Sequence, residues 1–212
     1  IFYSLNSKAA SKAFQSSASE EQLMYLFLIY EKFGPYPTNI WKAYFDSLPD
    51  VLFNPLFFED RVLDATVLTM PLYEEIMYIK EGLNEEFSVL KTELQYSAVF
   101  MKEFPLEVLT IERYTWAYLL MDMCKVKNAL ALIPIPMLDM EPVPNAPFHK
   151  LDYYFDNKTY TFCCKAVTPF AKGDKFASTM DIVCMKNCDL ITRFGMCITP
   201  NLNDYFAINI DL

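Results

Sequence analysis

An α+β fold, with a helical block over residues 20–127 ahead of a β-rich block over residues 128–212, is what the sequence predicts. Three observations carry it. Apolar side chains recur at spacings of three and four through the first block. In the second, β-formers gather in short runs and the last residues alternate apolar and polar. With 53% hydrophobic residues among 212, the chain is far too apolar to be disordered and calls for a packed core.

The elements follow in order. Residues 1–19 read as an N-terminal tail. Ser19-Glu20-Glu21-Gln22 is a capping box, with Ser19 as N-cap and Gln22 three residues on. The helix it opens places Leu23, Leu26, Phe27, Tyr30 and Phe33 on one face and stops at Gly34-Pro35. A shorter amphipathic piece spans Trp41 to Leu48 and closes at Pro49. Asn54-Pro55 marks a turn, and Phe58 to Leu63 reads as helical. The clearest helix runs from about Leu72 to Tyr96, where Ile76, Ile79, Leu83, Phe87, Leu90 and Leu94 step by three or four. Its other face carries Glu74, Glu75, Lys80, Glu81, Glu85, Glu86, Lys91 and Glu93, a solvated face or an acidic docking surface. After Pro105, a further helix spans roughly Thr110 to Lys125 and contains Trp116.

The second block changes character. Leu130 to Ile133 is a continuous apolar run, as in a strand buried on both faces. A loop with Pro134, Pro136, Pro142, Pro144 and Pro147 follows. Tyr160 to Val167 is rich in β-formers, Phe176 to Ser178 follows a turn at Lys172-Gly173-Asp174, and Phe206 to Leu212 alternates like a half-buried strand. Residues 128–212 carry 7 basic and 9 acidic side chains against 11 and 18 before them, so the acidity sits mainly on the helices.

Composition excludes several functions. A net charge of −9 argues against extensive direct contact with a phosphate backbone. Gly34, Gly82, Gly173 and Gly195 are far apart, so neither a dinucleotide fingerprint nor a P-loop exists. No run approaches the roughly 18 apolar residues of a membrane span. The six cysteines, Cys124, Cys163, Cys164, Cys184, Cys188 and Cys197, lack the paired spacing of a zinc site, and His149 is the only histidine. Reduced thiols in an intracellular compartment are expected. Lys8, Lys12, six serines and no acid before Glu20 also suit the mature edge of an organellar import sequence, so a mitochondrion or another organelle stands beside the cytoplasm. Because residue 1 is Ile, the chain is expected to be processed, an excerpt, or only the ordered part of something longer.

The order of motifs resembles the SET-domain methyltransferases of the Rubisco large-subunit methyltransferase class, which includes the actin-histidine methyltransferases. Trp41 to Pro49 is similar to W-x-x-Y-x-x-x-L-P, and Pro71-Leu72-Tyr73 to the S-P-L-Y stretch of the helical insertion. Thr110 to Tyr118 resembles T-x-E-x-F-x-W-A-x. Ala131 to Pro134 with Asp139-Met140 is similar to the strand and loop before the cofactor motif. Lys172-Gly173-Asp174 resembles K-x-G-E, Asn187 to Leu190 N-x-E-L, and Phe194-Gly195-Met196 Y-G-F. The resemblance covers residues 21–212. It implies a helical SET-insertion region over 20–127 followed by the C-terminal half of a SET-type β-fold over 128–212.

The same resemblance places the class's functional residues, and there the chain departs from it. No G-x-G precedes Gly34. The Asn-His cofactor motif falls at Pro142 and Val143; proline has no N–H, and neither side chain can hydrogen-bond. Asn145 and His149 lie nearby but among prolines. The catalytic tyrosine falls at Met180, a thioether with no hydroxyl. No tyrosine lies between Tyr160 and Tyr205, so a slip of register does not restore it. After the W-A-x match, Asp122-Met123-Cys124 replace polar groups, and Phe194 replaces a tyrosine. Scaffold positions such as Trp41, Pro71, Trp116, Gly173 and Gly195 persist.

The expected function is that of a non-catalytic SET-like pseudo-methyltransferase, a structural or interaction subunit of a multi-protein complex, with no cofactor and no metal. The alternative is an active protein methyltransferase using S-adenosylmethionine, completed by an N-terminal segment.

Overall fold

The computed structural model describes residues 18–35, 37, 42–68, 70–96, 104–124, 151–159, 161–167, 169–172 and 185–204. In chain order these form α1 (Glu20–Phe33), α2 (Lys42–Ser47), a 3-10 turn (Pro55–Phe57), α3 (Asp60–Val67), α4 (Pro71–Gln95), a second 3-10 turn (Leu106–Val108), α5 (Ile111–Cys124), β1 (Leu151–Asp156), β2 (Thr161–Ala166) and α6 (Asn187–Phe194). The described residues are mostly helical.

α1 begins as its sequence requires. Ser19 Oγ accepts from Gln22 N (3.1 Å), and Ser19 N donates to Gln22 Oε1 (2.7 Å), so two N–H groups of the first turn are satisfied reciprocally. The helix ends at Phe33, with Gly34 in extended backbone before Pro35. The buried face is wider than the expected stripe. Leu26 and Tyr30 are buried, but so are Tyr25, Leu28 and Ile29, while Leu23, Phe27 and Phe33 are half-buried. The reason is tertiary: α1 is covered by α5 on one side and by α2 and the second 3-10 turn on others. A helix with neighbours on several sides buries more than one stripe.

α5 is the centre of the core. Tyr114, Ala117 and Leu120 are fully buried, with Trp116, Leu119 and Met121 nearly so. Each large apolar side chain buried there contributes about 1.5–3 kcal/mol. The rings meet edge to face: Tyr25 with Tyr114 (5.3 Å, 87°) and Phe33 with Trp116 (5.1 Å, 75°). The Trp116 indole N–H donates to the Pro49 carbonyl (3.0 Å), so the ring is buried without an orphaned donor.

α4 starts with Pro71 in its first turn and ends at Gln95, one residue earlier at each end than the expected span. Its apolar stripe faces inward as expected: Ile76, Leu83, Leu90 and Leu94 are buried, and Ile79 and Phe87 pack against the core. Gly82, in mid-helix, costs about 1 kcal/mol relative to Ala, and a methyl group there would meet nothing within 4 Å. α3 sits later than expected. It starts at Asp60 and runs on to Val67, because Phe58 closes the preceding 3-10 turn by donating its N–H to the Pro55 carbonyl (2.9 Å).

In the second block the described strands are a hairpin. β1 and β2 pair antiparallel, with Leu151 opposite Ala166 and Asp156 opposite Thr161. β2 matches the expected run at 160–167. β1 has no counterpart among the expected β runs, although its signal is present: aromatic Tyr153-Tyr154-Phe155 lead into Asp156-Asn157. Asp156 Oδ1 accepts from Lys158 N (2.8 Å) and Oδ2 from the Thr159 hydroxyl (2.9 Å), a side-chain-built turn. These bonds hold the Asp156 carboxyl below its usual range. The second block also contains a helix, α6. The strands expected at 130–133 and 206–212 lie outside the described residues, as do the run at 176–178, Trp41, Gly173 and Asp174. Among the described residues no helix is long and apolar enough to cross a membrane.

Candidate functional site

Met180, Pro142 and Val143, the degenerate positions that the resemblance assigns to catalysis and cofactor binding, lie outside the described residues, together with Asp139, Asn145 and His149. The described residues form three other features: the joint between the helical block and α6, a charged cleft, and a cluster of tyrosines.

The joint is formed by α6 and the residues after it, which include the N-x-E-L and Y-G-F matches. Asn187 opens α6 and ties it to the following loop. Its Nδ2 donates to Asp204 Oδ2 (2.8 Å) and the Ile198 carbonyl (3.2 Å), and its Oδ1 accepts from Ile198 N (2.9 Å) and Asn201 Nδ2 (3.2 Å). Gly195 closes the helix at φ 67°, in the left-handed region. Its N–H donates to the Ile191 carbonyl (2.9 Å) and Met196 N to the Leu190 carbonyl (3.4 Å), which satisfies the last carbonyls. The two matched motifs are thus the start and the stop of one helix.

That helix is held by a residue far away in sequence. Asn54 is buried at 1% exposure. Its Oδ1 accepts from Leu56 N (3.0 Å), capping the first 3-10 turn, and its Nδ2 donates to the Thr192 carbonyl (2.8 Å). One amide therefore stops one element and starts another. Gly195 lies against the Phe53 carbonyl so closely that a Cβ would overlap it. A half-exposed ion pair between Arg193 and Asp122 (3.4 Å) adds little beside these contacts.

The cleft, about 400 Å³, lies between the end of α1 and α2 and is lined in part by Lys32, Lys42, Asp46 and Asp50. Lys32 is 10% exposed, and its ammonium donates to the Phe45 and Leu48 carbonyls (both 2.8 Å) while pairing with Asp50 (2.7 Å). All three donors of that cation are engaged. Lys42 pairs with Asp46 across one turn of α2 (2.9 Å). The cations of the cleft are matched by acids of the same wall, so the cleft is a clamp on the α2 C-terminus. Lys32→Met is expected to lower stability by about 2 kcal/mol by orphaning two carbonyls, read from the urea midpoint. Lys42→Met at the exposed pair is expected to change it by no more than about 0.5 kcal/mol.

The tyrosine cluster joins α1, α4 and α5. The Tyr114 hydroxyl donates to Glu86 Oε1 (2.6 Å). Burial first, and then this bond to a carboxylate, push the Tyr114 phenol well above its ordinary range. Burial and the charge of Glu21 raise Tyr25, and burial and Asp122 raise Tyr118. Burial likewise raises the Cys188 thiol, aided by Glu75, and the Cys197 thiol, aided by Asp204. Each of these groups holds its proton at neutral pH. Sequence reasoning placed Glu86 on a solvated face, whereas Glu86 anchors the α4–α5 contact. Among the described residues no group of three His, Cys, Asp or Glu is placed to hold a metal ion.

No protein-family model, curated protein or solved structure matches the chain.

Proposed function

We propose that the chain is a non-catalytic, SET-like pseudo-methyltransferase that serves inside cells as a structural or interaction subunit of a larger protein assembly. The observation that carries this reading is the identity of the residues at the three positions where the resemblance places the chemistry. Pro142 and Val143 offer no side-chain donor or acceptor for S-adenosylmethionine, and Met180 offers no hydroxyl to orient an amine. These residues do not fit the cofactor, and no methyl-transfer step follows from them. The surface supports the same reading: Val51 and Phe53 beside the α6 joint, Tyr78 and Tyr96 on α4, and Leu202 expose large apolar side chains. Such groups mark partner surfaces when several share one face.

Isothermal titration of the full chain with S-adenosylmethionine tests it. No binding is expected, and binding in the micromolar range would falsify the proposal in favour of an active protein methyltransferase completed by an N-terminal segment.

A further inference from the structure

The long helix α4 has two faces, and the outer one is the informative one. At about 100° per residue, Tyr78, Gly82, Val89 and Tyr96 fall within about 40° of one another on the helical wheel. Tyr96 follows Gln95 in helical backbone (φ −88°, ψ −6°) and so continues that row. Tyr78 is 79%, Val89 60% and Tyr96 86% exposed. They stand opposite the stripe of Ile76, Leu83, Leu90 and Leu94 that faces the core.

The spacing and the charges together say what would cover this face. Gly82, Val89 and Tyr96 are seven residues apart, the period at which one helix can lie along another. At Gly82 a large side chain of a neighbour could approach the backbone, because nothing lies within 4 Å of where its Cβ would be. The row extends over about 27 Å, some five turns. It is bordered by Glu74, Glu81, Glu85 and Glu93, all exposed and, among the described residues, without an ion-pair partner. The two lysines of α4 are directed elsewhere: Lys80 reaches Asp60 and the Phe58 carbonyl, and Lys91 lies over the Phe87 ring. The rim is therefore acidic on both sides. A second copy of this face, a nucleic acid or an anionic lipid surface would meet like charge.

We infer that the outer face of α4 is the docking site for a basic amphipathic helix of a partner protein, with apolar side chains laid along Tyr78, Gly82, Val89 and Tyr96 and Lys or Arg set against the flanking carboxylates. This rests on the reading of the chain as an interaction subunit and supplies the chemistry of its partner.

The test uses the full chain and a synthetic helical peptide with leucine at the a and d positions of each heptad and lysine or arginine at e and g. Its twin carries glutamate at e and g. Fluorescence anisotropy is expected to show binding of the basic peptide that weakens as salt is raised, and none of the acidic twin. The double variant Tyr78→Ala/Tyr96→Ala is expected to lose about tenfold in affinity. Both side chains are exposed, so circular dichroism should show an unchanged fold. Glu85→Lys on the rim is expected to weaken binding, whereas Glu107→Lys, an equal charge change away from α4, leaves it unaltered. Absence of binding, equal binding of the acidic twin, full affinity in the double variant, or equal loss from both charge reversals overturns the inference. None of these readouts depends on S-adenosylmethionine, so this site and the pseudoenzyme reading can fail separately.

Discussion

Gly195→Ala is expected to destabilise the chain by about 3 kcal/mol or more, made of about 1–2 kcal/mol for a left-handed backbone and the remainder for a collision. The backbone part follows from φ 67° at this position. The collision follows from the Phe53 carbonyl, which a Cβ would overlap. Backbone cannot swing away as a flexible side chain can, so α6 would have to leave the first 3-10 turn. Chemical denaturation followed by circular dichroism measures the loss. Gly195→Asn separates the two parts. Asparagine tolerates the left-handed region but still carries a Cβ, so it should recover only the backbone share. Wild-type stability in Gly195→Asn would show that the close approach to Phe53 does not matter.

Asn54→Leu is expected to lower stability by about 3 kcal/mol, because burial leaves the Leu56 N–H and the Thr192 carbonyl each without a partner at about 1–3 kcal/mol apiece. Asn54→Asp is the sharper variant. It keeps the acceptor for Leu56 N but sets a carboxylate oxygen against the Thr192 carbonyl, where Nδ2 now donates at 2.8 Å. Burial and that carbonyl would raise the new carboxyl's folded pKa above its unfolded value. A group raised in this way contributes its stability fully below the unfolded pKa and loses it as pH rises through the folded one. Asn54→Asp should therefore be least damaging in mild acid and most damaging at neutral pH, read as the denaturation midpoint against pH. A pH-independent deficit would refute the assignment. Asn54 and Gly195 hold the same joint, so the double variant should lose less than the sum of the two.

Local patterns made much of the helical block legible. The Ser19–Gln22 capping box works within four residues, and both of its hydrogen bonds form. The inward stripe of α4 is visible because a helix with one buried side must repeat its apolar residues at three and four. α1 defied a one-face reading because coverage by α5, α2 and a turn cannot be inferred from its own residues. β1 is not legible from its own aromatics and Asp156, because a strand is defined by the partner it pairs with. Of the site that the resemblance suggests, only the side-chain types at Pro142, Val143 and Met180 are legible, since residue type is local and arrangement is not.

The sequence alone determined where α1 starts and stops, which side of α4 faces the core, and that Pro142, Val143 and Met180 carry no hydroxyl or amide side chain. These depend on side-chain type and on periods of a few residues. The tertiary structure decided that Asn54 holds a carbonyl 138 residues away, that Lys32 clamps the end of α2, that Glu86 serves the core, and that Tyr78, Val89 and Tyr96 stay uncovered. The reason is physical: a hydrogen bond or a buried face needs a partner, and for these groups the partner, or its absence, is set by how distant segments pack.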